Sequence, residues 1–127
     1  MVRIICIGNR FAYPDNFGML VYDELKKLDL VDIEVVEGGV GGMSLLPYFE
    51  DDKKILIVDY GFSDTKELLS NEDIDKLEID EYNHSNSFLY LLKMVTKEYK
   101  IYLHSGEFNQ HLIYKYANNI LKIAKGL

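Results

Sequence analysis

Three side chains in this sequence combine into a set capable of metal or acid–base chemistry: Asp15, Asp59 and His84. Two ionised carboxylates and a neutral imidazole are natural donors for a divalent ion such as nickel or zinc, and the same three groups can hold and move protons. Each has a plainer reading. An Asp that ends a buried strand often caps the next turn, an Asp ahead of a helix often belongs to its N-cap region, and a His before a helix is often a hydrogen-bonded loop residue. No short-range pattern of the His-Glu-x-x-His kind links the three, so placement in the fold has to bring them together.

Other chemistry fits poorly. Cys6 lies in the middle of an apolar run, where a thiol is inert core, and no Gly-x-Ser-x-Gly elbow marks a serine nucleophile. The glycine stretch Gly38-Gly39-Val40-Gly41-Gly42 follows a strand-like run but lacks the Lys and Ser/Thr of a phosphate loop and the Gly-x-Gly-x-x-Gly spacing of a dinucleotide site. His104 to Glu107 closes the last strand at the same sheet edge and is a second candidate to line the cleft, although loop polarity explains it as well. The acidic run from Asn71 to Tyr82 reads as solvated surface.

The elements that must position the three residues follow from periodicity. Val2 to Gly8 and Lys54 to Asp59 are short, nearly continuous apolar runs, as expected for strands buried on both faces, and Asp32 to Glu37 and Lys100 to His104 supply two more. Phe17, Leu20, Val21, Leu25 and Leu28 recur at helical spacing. Met43 to Phe49 reads as a short helix containing Pro47. Ser85 is expected to cap a helix from Asn86 to about Glu98, and a last helix runs from about Asn109 to Lys125, burying Leu112, Ile113, Tyr116, Ile120 and Leu121. Between them, Asp64 to Ser70 reads as a helical turn and Lys76 to Asp80 as an exposed strand.

Strands alternating with helices predict a three-layer α/β/α sandwich, an open and mostly parallel sheet of about five strands with helices on both faces. In such a sheet the site lies beyond the carboxyl ends of the strands, where the strand order switches. That edge receives Asn9 and Asp15 after the first strand, the glycines after the second and Asp59 at the end of the third. His84 joins them if the following helix starts there.

Composition limits the partners. The 127 residues suit one domain spanning 1–127. With 14 basic and 21 acidic residues the net charge is −7, the wrong sign for nucleic-acid binding. The apolar runs fall far short of the ~20 residues that cross a bilayer, so no membrane association is expected. One cysteine and the absence of a basic leader point to the cytoplasm.

Three blocks resemble the hydrogenase maturation endopeptidases, which trim the C-terminal tail of the [NiFe]-hydrogenase large subunit after nickel insertion. Ile7-Gly8-Asn9, Asp15 and Gly18 resemble the family's opening block. Glu37-Gly38-Gly39-Val40-Gly41-Gly42-Met43-Ser44-Leu45-Leu46 resembles its acidic, glycine-rich loop, and Ile55-Leu56-Ile57-Val58-Asp59 its central strand. Cys6 and Val40 depart from the pattern, at a usual Gly and Thr, and the second half is short.

The resemblance implies that Asp15, Asp59 and His84 are both metal ligands and catalytic residues, and that Asn9, Gly38, Gly39, Gly41 and Gly42 bind substrate. The nickel would be supplied by the large-subunit precursor, with no tightly bound cofactor of the chain's own. The alternative is a non-catalytic metal-binding or docking protein on the same fold.

Overall fold

The computed structural model describes residues 1–61, 67–76 and 86–127. Its five strands are β1 (Val2–Ile7), β2 (Ile33–Gly39), β3 (Lys54–Tyr60), β4 (Leu68–Ser70) and β5 (Tyr99–His104). They form one sheet in the order β2-β1-β3-β5-β4, parallel except for β4, which runs antiparallel to β5. The helices are α1 (Phe17–Lys26), α2 (Asn71–Asp75), α3 (Asn86–Met94) and α4 (Ile113–Lys125), with 3₁₀ turns at Met43–Phe49 and Gln110–Leu112. The expected α/β architecture is what forms.

The pleat sorts the central strands into two cores, because successive side chains point to opposite faces. Ile4, Cys6, Leu56, Val58 and Tyr102 pack with α1 and α4, while Ile5, Ile7, Ile57, Ile101 and Leu103 pack with the 3₁₀ turn at Met43–Phe49 and with α3. A strand covered on both sides must be apolar at every position, and the buried side chains of β1 and β3 obey this with two exceptions, the first of them Asp59, which has no solvent exposure. Arg3 is the other buried charge, at the opposite end of the sheet. It hydrogen-bonds Asp51 at 2.8 Å, Glu34 at 3.1 Å and the Tyr48 carbonyl at 2.6 Å, tying the starts of β1 and β2 to the segment before β3.

Four expectations are corrected. Leu68–Ser70 is strand rather than helical turn, because β5 offers an open edge and the short segment pairs with it while burying Leu69. Lys76 is a turn at the end of the unanticipated helix α2, whose start is set by the Ser70 N–H donating to the Asp73 carboxylate at 2.9 Å. The rest of the expected strand to Asp80 lies outside the described residues, as do Asp64 and Ser85. The last helix, expected from about Asn109, begins at Ile113: Asn109 instead caps a separate 3₁₀ turn, Gln110–Leu112, its side chain accepting the His111 N–H at 2.8 Å. Leu112, in that turn and ahead of α4, is 37% exposed instead of buried. α3 stops at Met94, short of Glu98.

Each long helix runs back against the strands, so its C-terminal end falls at the amino edge of the sheet. Lysines gather there: Lys26 and Lys27 at the end of α1, Lys93 at the end of α3, Lys122 and Lys125 at the end of α4, complementing the partial negative charge of those helix ends. Lys53, Lys54 and Lys97 stand at the same edge, ahead of or at the starts of β3 and β5.

Candidate functional site

The carboxyl edge is built first from backbone meeting backbone. A side chain at Gly8 would collide with the Asp15 carbonyl, and one at Gly18 with the Ile7 carbonyl, so the 9–16 loop and the start of α1 fold directly onto the end of β1. Asp15 lies at the close of this loop and accepts the Asn9 N–H at 3.0 Å. Its carboxylate thus holds the loop shut. The residue at the N-cap position of α1 is Asn16. Asn9 is itself a turn residue, its Oδ1 accepting the Phe11 N–H at 3.0 Å.

The glycine loop lies beside this one. The Gly8 N–H donates to the Gly39 carbonyl at 2.7 Å, and Arg10 bridges Asp23 at 2.7 Å and Glu37 at 3.4 Å. Arg10 escaped attention in the sequence. The signal for it was Glu37, an acid immediately ahead of the glycines. Gly41 has φ +78°, a conformation that side chains disfavour, and a Cβ there would come within 2.9 Å of the Phe88 ring. Gly38 is equally confined, against Ile7 at 2.6 Å. Packing therefore accounts for these two glycines, whereas a Cβ at Gly39, whose φ of +57° itself favours glycine, or at Gly42 would meet no described atom within 4 Å.

Asp59 reaches the same edge from the centre of the sheet. Cys6, the last β1 residue paired with β3, lies opposite Val58, one residue before Asp59. The Asp59 side chain is on the α3 face, and its Oδ1 accepts the Tyr60 N–H at 2.8 Å, the turn-capping role expected of an Asp ending a buried strand. His84 lies outside the described residues. The first described residue after it, Asn86, opens α3, whose Phe88 packs under Gly41, so the start of this helix is at the carboxyl edge. Asp15 and Asp59 therefore share one edge of the sheet. Among the described residues, no group of three or more His, Cys, Asp or Glu is arranged to hold a metal ion.

His104 takes another role. It ends β5 in register with Tyr60, on the face opposite the Asp59 side chain, and stacks on Phe17 with ring centroids 4.6 Å apart, with Tyr116 edge-on at 4.9 Å. Burial pulls its imidazole below the usual histidine range, against the opposing hydrogen bond to the Glu107 backbone. It is aromatic packing for the α1 and α4 side. Burial likewise pushes the Cys6 thiol up, beyond use as a nucleophile.

The family model described as HycI, hydrogenase maturation protease, matches residues 19–111. The match contains the glycine loop and β3 with Asp59, and begins just after the Ile7–Gly18 block. Among solved structures, the hydrogenase maturating endopeptidase HybD from Escherichia coli superposes with a TM-score of 0.80 at 16% identity, over 98% of this chain and 92% of that one. The [NiFe] hydrogenase maturation protease HycI from Thermococcus kodakarensis KOD1 gives 0.67 at 19% identity, over 98% and 92%. The hydrogenase 2 maturation peptidase from Thaumarchaeota archaeon SCGC_AB-539-E09 gives 0.61 at 21%, over 96% of each. At these identities the likeness carries the fold. No curated protein sequence matches. No described helix is long and apolar enough to cross a membrane. The family model spans well over half of the chain, and on that ground the chain belongs to the hydrogenase maturation proteases, a family of peptide hydrolases.

Proposed function

We propose that this protein removes the C-terminal extension of a [NiFe]-hydrogenase large-subunit precursor after nickel insertion, in the cytoplasm, and that it uses the nickel held by that substrate for recognition. The observation that carries the reading is the shared placement of Asp15 and Asp59 at the carboxyl edge of a family fold whose one cysteine is buried. A peptidase lacking a usable Ser or Cys nucleophile needs electrophilic help, and a substrate-borne metal ion can supply it.

In this reading Asp15, Asp59 and His84 complete the coordination of the substrate's nickel and set the scissile bond beside it, and one carboxylate takes the proton of the attacking water. Asn9, through its turn, fixes Asp15. Gly39 and Gly42 leave room for the substrate backbone, and Gly38 and Gly41 hold the loop in shape for it. The protein brings no tightly bound cofactor of its own.

The test is to incubate the protein with nickel-loaded and with nickel-free precursor and to weigh the precursor's C-terminus by mass spectrometry. Loss of the tail in the nickel-loaded sample alone is the expected result. A tail kept in both samples makes the protein a docking factor rather than a peptidase, and a tail lost in both removes nickel from the mechanism.

A further inference from the structure

The loops that carry Asp15 and the glycines also push apolar side chains into solvent. Phe11 is 94% exposed, Val40 65%, Tyr13 54% and Met43 46%. Single exposed apolar residues are ordinary, but a phenylalanine exposed to this degree is held out by something. Here the loop is braced on all sides. The Asn9 side chain accepts the Phe11 N–H, the Asn9 carbonyl accepts the Ala12 N–H at 3.1 Å, and Arg10 is clamped between Asp23 and Glu37.

The same clamp, with the hydrogen bond from Gly8 to Gly39, sets Phe11 and Val40 on adjoining loops and neutralises the one cation between them. Leu28, Val31 and Met94, also exposed, lie at the opposite edge, by the ends of α1 and α3 and the start of β2.

We propose that Phe11, Tyr13, Val40 and Met43 form a docking surface for an apolar patch on the body of the hydrogenase large-subunit precursor, engaged whether or not nickel is present. This rests on the reading of the precursor as substrate. The occupant is chosen by continuity: Phe11, Tyr13 and Val40 stand on the two loops that present Asp15 and the open glycines and Met43 opens the 3₁₀ turn that follows, so a protein whose tail reaches those groups must lie against them. A braced, pre-shaped apolar rim binds without the entropy loss of ordering a loop.

The double variant Phe11→Ser, Val40→Ser tests this, since both side chains are exposed and the melting temperature is expected to stay at the wild-type value. With nickel-loaded precursor its KM should rise about tenfold or more while kcat stays within about twofold. Its Kd for nickel-free precursor should weaken by a similar factor, and Phe11→Leu should restore most of the affinity.

Wild-type KM and Kd in the folded double variant overturn the docking surface while leaving the peptidase reading intact. Weakened binding by the variant, in a wild-type protein that leaves the precursor uncut, upholds docking and overturns the peptidase reading. Self-association of the wild type that the double variant loses, with precursor binding unchanged, assigns the surface to a second copy and overturns the proposal.

Discussion

At Asp59 a carboxylate is enclosed where every neighbour along the strand is apolar, and it accepts the N–H of the next residue, Tyr60. Burying an ionised carboxylate so completely is expensive unless it is hydrogen-bonded or paired. Asp59→Asn keeps the size and the ability to accept from Tyr60 while removing the charge. If the residue only caps the turn, the variant folds with a loss of no more than ~1 to 2 kcal/mol and still cuts nickel-loaded precursor. The expected outcome is the other one. Cleavage falls by orders of magnitude and the melting temperature stays equal or rises, because neutralising an acid buried for function commonly stabilises. Thermal melts and tail-mass measurements on the same preparation check both halves.

At the scale of elements, the end of β1 and the start of α1 meet backbone against backbone at Gly8 and Gly18. Gly18→Ala drives a methyl into the Ile7 carbonyl, and neither backbone segment has room to retreat, so a loss of about 2 kcal/mol or more, or failure to fold, is expected. Gly42→Ala meets open space at an ordinary φ of −85° and should melt within about 0.5 kcal/mol of wild type. If substrate passes over Gly42, the same variant raises KM. Denaturant curves for both variants and a KM for the second are the measurements.

The sequence made these elements legible where a single period dominates. β1, β3 and α1 fall within a residue or two of expectation because their apolar positions have no second interpretation. β4 and α2 escape a reading by period because three and five residues carry too little periodicity, and what makes Leu68–Ser70 a strand is the distant open edge of β5. The site shows the same division. Asp15 and Asp59 were readable from strand order and motif spacing, whereas the Arg10 clamp and the aromatic packing of His104 depend on which sheet face a side chain takes. Two of the four glycines expected to bind substrate, Gly38 and Gly41, are confined by neighbours that no local pattern reveals.

Across the whole molecule, the two ends of the sheet are electrostatically different. At the amino edge the Arg3 guanidinium, by its hydrogen bond, holds the Asp51 carboxyl down to about 2, and Lys53 with Arg3 lowers Glu34. A carboxyl depressed in the folded state stabilises it above the unfolded value, 3.8 for Asp51, and that contribution is lost as pH falls through the folded value near 2. Melting temperature should therefore drop as the pH is lowered through this window. Asp51→Asn should melt lower than wild type at neutral pH, and the gap should close below about pH 2. Melts across the pH range, compared between the two proteins, provide the check.

The lysines at the ends of α1, α3 and α4 share that edge with Lys53, Lys54 and Lys97, and among the described residues Lys115, in the first turn of α4, stands apart toward the other end. Among the described residues, amine-reactive positions are therefore gathered mostly behind the site. Molecules coupled to a sensor surface or a resin through those lysines present the Asp15 and glycine loops outward, toward the solution.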